Sequence, residues 1–180
     1  MYALKRTGTG NMFALYIGYP DSGKSAMAES RASELSGGEG LVYLATMIPY
    51  GEEGQQRIAR HRAMREGRGF VTIEAPFDIC DALSRAFGAD ELKDRTVLLE
   101  CVSNLAANEL FERHSGAEDA AAKITEEIRK LAASVRHLVA VSNHYGIEDS
   151  FDEETRLYSK TLDTINERIA AFADETVSLV

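Results

Sequence analysis

Short apolar runs alternate along this chain with longer stretches whose apolar residues recur at helical spacing. The runs Phe13–Ile17, Leu41–Ala45, Phe70–Ile73, Thr96–Glu100, Leu138–Ser142 and Thr176–Val180 read as strands. The segments Lys24–Leu35, Glu53–Arg65, Phe77–Phe87, Leu105–His114, Glu118–Ser134 and Glu153–Ala173 read as helices. Several strand runs are almost continuously apolar, as strands must be when helices cover both faces of a parallel sheet. The alternation predicts an α/β, three-layer domain with a mostly parallel sheet. Ligands in such folds sit at the carboxyl ends of the strands. No repeat, low-complexity tract or linker divides residues 12–180, which read as one domain. The polar, glycine-containing Met1–Asn11 reads as a loose leader or expression remnant.

The first strand–helix junction carries the most specific chemistry. Gly18-Tyr19-Pro20-Asp21-Ser22-Gly23-Lys24-Ser25 is G-x-x-x-x-G-K-S, the phosphate-binding P-loop. Its glycines let backbone N–H groups face a triphosphate, and the helix N-terminus adds positive potential. Lys24 reaches the β- and γ-phosphates, and Ser25 holds Mg²⁺. The strand before and the helix after are the context the motif needs. A P-loop NTPase-like domain that binds a nucleoside triphosphate is therefore expected.

The partner expected of such a loop is an acid ending an apolar strand. Val97-Leu98-Leu99-Glu100 supplies it, with Glu100 orienting Mg²⁺ directly or through water, or acting as a base. In the second helix Arg57, His61 and Arg65 stand four residues apart, on one face. A neutral imidazole among arginines is able to attack phosphorus and carry a nucleotidyl group. Spacing alone favours a solvated helix face there. Past the fifth strand, Ser142-Asn143-His144-Tyr145-Gly146 either lines the ligand crevice or closes a turn. His114 and His137 read as surface or capping residues.

Composition narrows the partners. The net charge of −9 over 180 residues argues against broad nucleic-acid binding. No apolar stretch reaches membrane-span length, and no secretory h-region opens the chain. Cys80 and Cys101 lack metal-ligand spacing and read as buried free thiols, which fits a cytoplasmic protein.

These parts, in this order, resemble the bifunctional adenosylcobinamide kinase / adenosylcobinamide-phosphate guanylyltransferase family of cobalamin biosynthesis. The resemblance runs from Phe13 to Val180. It rests on Ser22-Gly23-Lys24-Ser25, on Tyr43-Leu44-Ala45-Thr46, and on Glu53 followed by Arg57-Ile58-Ala59-Arg60-His61. Thr72 and Glu74, then Glu100, Cys101, Ser103 and Asn108, complete it. The R-I-x-x-H segment after A-T is the diagnostic part.

The resemblance implies phosphorylation of adenosylcobinamide and transfer of GMP from GTP through a guanylylated histidine, here His61. Lys24 and Glu100 are the other implied catalytic residues. Gly18, Ser22, Gly23, Lys24, Ser25, Thr46, Arg57, Arg65 and Glu74 are the implied nucleotide-binding set, and Ser25 and Glu100 the Mg²⁺ ligands. GTP or ATP and a corrinoid are the implied substrates, and a trimer the implied assembly. The chain departs from the family where R-P-x-x-W keeps only Arg65, where N-E-V-G becomes Asn143-His144-Tyr145-Gly146, and where R-x-F-R-D becomes Arg156-Leu157-Tyr158-Ser159-Lys160. Two alternatives stay open: a small-molecule kinase without the guanylyl step, and a nucleotide-binding regulator.

Overall fold

The computed structural model describes residues 10–146, 148 and 150–180, without the side chains of residues 57, 61 and 64. The leader expected over 1–11 falls mostly outside the described residues. Six strands, β1 (Met12–Gly18), β2 (Leu41–Ala45), β3 (Val71–Glu74), β4 (Thr96–Glu100), β5 (His137–Asn143) and β6 (Glu175–Leu179), form one sheet in the order β3-β2-β4-β5-β1-β6. Every pairing is parallel.

The helices are α1 (Lys24–Ser36), α2 (Gly51–Arg65), α3 (Ile79–Ala86), α4 (Ala89–Leu92), α5 (Val102–Ala107), α6 (Ala117–Ser134) and α7 (Glu153–Ala170). A π-helical turn, Asn108–Glu112, continues α5.

Alternation along the strands divides the core in two. Phe13, Leu15, Val42, Leu44, Val97, Leu99, Leu138 and Ala140 face one side, packed by Ile79 and Leu83 of α3, Leu105 of α5, Ile124 and Ile128 of α6, and Ile165 and Ile169 of α7. Ala14, Tyr16, Tyr43, Leu98, Val139 and Val141 face the other, where Ala28 and Ala32 let α1 approach closely. Each fully buried Leu or Ile contributes about 1.5–3 kcal/mol. The central strands are buried almost throughout, whereas edge strand β3 has no buried residue.

Two helix starts differ from the sequence expectation in ways that shape the site. Asp78 adopts a left-handed backbone (φ 49°), so α3 starts at Ile79 rather than at Phe77. That turn is stable because the Asp78 carboxylate is paired with Arg113 and Lys123, which hold its pKa well below the usual carboxylate range. The helix expected from Leu105 begins earlier, at Val102, directly off the end of β4. Its continuation as a π-helical turn puts both Asn108 and Glu109 inside. Glu109 is matched by Lys123 at 2.7 Å and Arg113 at 3.1 Å, as a buried charge requires.

Candidate active site

β1 ends at Gly18, in the interior of the sheet. A Cβ there would lie 2.6 Å from Ser22 Oγ and 3.0 Å from Leu179 Cβ, so only glycine lets the loop fold back over the strand end. Gly23, at φ 84°, makes the left-handed step that starts α1. Lys24 is 5% exposed, and its ammonium donates to Tyr19 O at 2.9 Å. The Ser22 amide donates to the same carbonyl at 3.2 Å, and the Ser22 hydroxyl is buried without a hydrogen-bond partner among the described residues. Burial lowers the pKa of Lys24, opposed by Cys101, Glu100 and Asp21.

Ser25 Oγ donates to Glu100 Oε1 at 2.6 Å. The second carboxylate oxygen, Oε2, is buried and has no hydrogen-bond partner among the described residues. Burial raises the Glu100 pKa, outweighing the hydrogen bond from Ser25. An orphaned carboxylate oxygen beside a serine hydroxyl is an oxygen donor pair suited to a hard cation.

A cavity of about 590 Å³ opens over these groups. Of the residues expected from sequence, Lys24, Ser25, Arg65, Glu74 and Glu100 line it together. Gly18, Ser22 and Gly23 shape the loop beneath. Thr46 is fully buried and is not among the lining residues. Its hydroxyl donates to Cys101 O at 2.8 Å and accepts from Cys101 N at 2.7 Å, bracing the chain just past Glu100. Arg57 and His61 belong to α2, but their side chains lie outside the described part of the structure.

The α2 wall carries Ile58, Arg60, Arg62 and Arg65. Arg65 is 6% exposed, and its guanidinium carbon lies 3.3 Å from the Tyr43 ring centroid. Its Nε is buried with no hydrogen-bond partner among the described residues. Such a cation, held chiefly by a ring face, suits an incoming anion. Arg62 pairs with Glu74, both about half exposed. The chain is acidic overall, yet this wall is locally basic. The spacing Ile58, Arg62, Arg65, at i, i+4 and i+7, was available in the sequence as a second helical face beside the one through Arg57, His61 and Arg65.

Across the cavity, of the two readings left open for the end of β5 and the residues after it, lining the crevice holds for two residues. Asn143 and Tyr145 do so. His144 instead pairs through Nδ1 with Asp163 Oδ1 at 2.9 Å and sets its ring against Tyr19 at 5.6 Å. Sequence reasoning assigned no role to Asp21 or Asn104, which also line the cavity, or to Tyr158 behind Tyr145. His137 accepts from the Met12 amide at 3.2 Å, a strand-start capping contact. Cys80 and Cys101 are free thiols, and burial pushes Cys80 up to about 11.

A glycine loop ending a parallel strand, a lysine and serine opening the next helix, and an acid ending a strand one place removed define a P-loop NTPase-like nucleotide-binding protein. The sequence model described as "Cobinamide kinase / cobinamide phosphate guanyltransferase", CobU, matches residues 14–180, and the chain belongs to that family. It is thus a kinase and nucleotidyltransferase of cobalamin biosynthesis, with GTP- and ATP-type nucleotides and a corrinoid as substrates. No curated relative matches the chain. Among the described residues no helix is long and apolar enough to cross a membrane.

Proposed function

We propose that the chain carries out both family steps at this cavity, with His61 as the covalent carrier of GMP. The supporting observation is the meeting of two unlike walls over one space. Lys24, Ser25 and Glu100 line one side; Arg60, Arg62 and Arg65, from the helix that contains His61, line the other. In the kinase step the P-loop holds the triphosphate and Lys24 neutralises its terminal charge. The acceptor alcohol oxygen bonds to the γ-phosphorus, the nucleoside diphosphate leaves with the bridging oxygen, and the alcohol proton passes to water.

In the second step the neutral imidazole of His61 bonds to the α-phosphorus of GTP, and pyrophosphate leaves with the bridging electron pair. An oxygen of the corrinoid phosphate then displaces the imidazole, giving the diphosphate-linked product and free histidine. Arg65, with Arg57, neutralises the phosphate charge that develops. The remaining loop residues, Gly18, Ser22 and Gly23, present backbone donors. Thr46 acts from behind by fixing the Glu100–Cys101 segment, and Glu74 steadies Arg62.

Ser25 and Glu100 fit Mg²⁺, since Glu100 offers an unpartnered buried oxygen next to the serine hydroxyl. When bound, the ion neutralises phosphate charge. Ser25 and Glu100 would hold it beside the phosphates of a bound nucleotide; among the described residues no group of three or more His, Cys, Asp and Glu is placed to hold a metal. The trimer implied by the family belongs to this proposal and is measured by light scattering.

Intact-protein mass spectrometry after incubation with GTP and Mg²⁺ tests the histidine. Wild type should gain one GMP moiety, and His61→Asn should gain none while still binding nucleotide. An adduct on His114, His137 or His144 would overturn the assignment. Phosphorylation of cobinamide without any adduct would leave a kinase only.

A further inference from the structure

The wall opposite the arginines is built from hydrogen bonds that leave a specific pair of atoms over. Tyr145 lies two residues past β5, and its ring packs on Tyr158 of α7 at 5.7 Å; Tyr158 packs in turn on Phe111 at 6.2 Å. The row of rings fixes where the Tyr145 hydroxyl stands. Asn143 Nδ2 donates to that hydroxyl at 3.0 Å and to Ser103 Oγ at 2.8 Å. Both amide hydrogens are therefore spent, and the orientation of the amide is set. Tyr158, whose hydroxyl neighbours that of Tyr145, donates to Ser103 O at 3.1 Å.

Two capacities remain available. Asn143 Oδ1 accepts no hydrogen bond from the described residues, and the Tyr145 hydroxyl, already an acceptor, can turn its one proton either to the Tyr158 oxygen or into the cavity, since Tyr158 gives its own to Ser103 O. Both residues line the cavity. An acceptor beside a donor is complementary to a group that is both, which is an alcohol. A phosphate oxygen, acceptor only, would be repelled by Asn143 Oδ1.

Position separates the possible alcohols. Asn143 is the register partner of Gly18, where the phosphate loop begins, and Glu100 pairs with Val141, two residues earlier on the same strand. An alcohol held there stands beside the phosphate-binding loop, where an acceptor must approach to within about 3–3.5 Å of phosphorus. We propose that Asn143 and Tyr145 form the subsite that orients the acceptor hydroxyl of the kinase step. This rests on the kinase reading above and adds the residues that aim the nucleophile. Burial raises the Tyr145 pKa against the opposing hydrogen bonds of Tyr158 and Asn143, so the phenol stays a donor at neutral pH. Both act as positioning residues that bind the alcohol without taking its proton.

Tyr145→Phe keeps the ring on Tyr158 and removes the hydroxyl, both the donor and the acceptor of the Asn143 amide, while the bond from Asn143 to Ser103 Oγ remains. Steady-state kinetics with cobinamide and saturating nucleotide should show KM for cobinamide raised about tenfold, the usual effect of one lost hydrogen bond, with nucleotide Kd within twofold of wild type. Asn143→Ala should show the same split, and it carries the test if Tyr145→Phe does not fold. An unchanged KM for cobinamide in a wild type that phosphorylates it would overturn this subsite alone. A weakened nucleotide Kd, with cobinamide KM unchanged, would move the bound alcohol to the ribose and also overturn it. No phosphorylation by wild type would overturn the kinase reading and this inference with it.

Discussion

The two walls of the cavity are held in place by different means. Lys24, Ser25 and Glu100 stand on the ends of interior strands and at the start of a helix packed on the sheet, and each is fixed by a hydrogen bond of 2.9 Å or less. The arginine wall stands on α2, among whose described side chains only Arg65 is buried, and that one is a cation. The first wall is positioned by the apolar core and needs no ligand to exist. The second is positioned by charge, and among the described residues its most buried member stacks on a ring face and makes no ion pair. Phosphate handling is thus written into the fold, while the step assigned to α2 depends on what the ligand supplies.

The sharpest break comes at Lys24. Lys24→Ala should lower nucleotide turnover by about 10³-fold while the thermal melt moves little, because the core is untouched. Turnover near that of wild type would remove the P-loop from the chemistry.

Glu100→Gln follows, with an expected loss of about 10²-fold in turnover and a smaller change in nucleotide affinity. It also has a stability signature of known sign. Burial raises the Glu100 pKa above its ordinary 4.5. The folded state therefore binds the proton more tightly than the unfolded chain does. Stability from this group is full below 4.5 and is lost as pH rises through the raised value. The Gln variant escapes that loss, so its Tm relative to wild type should climb from pH 4 to pH 7. A flat difference would mean that the carboxylate pays no burial cost.

On the other wall, Arg65→Met should weaken GTP binding about tenfold at low salt. It should not destabilise the protein, since it replaces a buried cation that makes no ion pair among the described residues with an apolar chain of similar volume. A large drop in Tm would show that the stack on Tyr43 holds α2 in place. The smallest effect is expected at Arg62→Ala. Its pair with Glu74 is more than half exposed on both sides, so the stability change should stay below about 0.5 kcal/mol in a denaturant melt.

The same division decides what could be read from sequence. The strands were legible because interior positions of a parallel sheet are nearly all apolar, and the loop was legible because its glycines are forced by geometry. Glu100 stood out as a charge ending such a run. The start of α5 at Val102 was not legible: its N-cap is Cys101, which makes no side-chain cap, so no Ser, Thr, Asp or Asn signalled it. The four-residue α4 was missed because it is too short to show a period. That Arg60 and Arg62 line the cavity was missed because a largely polar helix has no wide apolar stripe to fix its phase. For Asn143 and Tyr145 crevice lining and turn closure both stayed open in the sequence, because their pairing depends on Ser103 and Tyr158, 40 residues earlier and 13 later in sequence than those two.

Asn108 carries a wider consequence. Its amide donates to Thr46 O at 2.9 Å and to Pro76 O at 2.8 Å, while Thr46 grips the backbone of Cys101. One side chain thereby ties together the exits of β2, β3 and β4 like a clasp. The ends of β2, β3 and β4 therefore move as one unit, and Glu74 and Glu100, which stand on two of those ends, share a single brace. Removing the Asn108 amide would loosen both sides of the cavity at once, without touching either carboxylate.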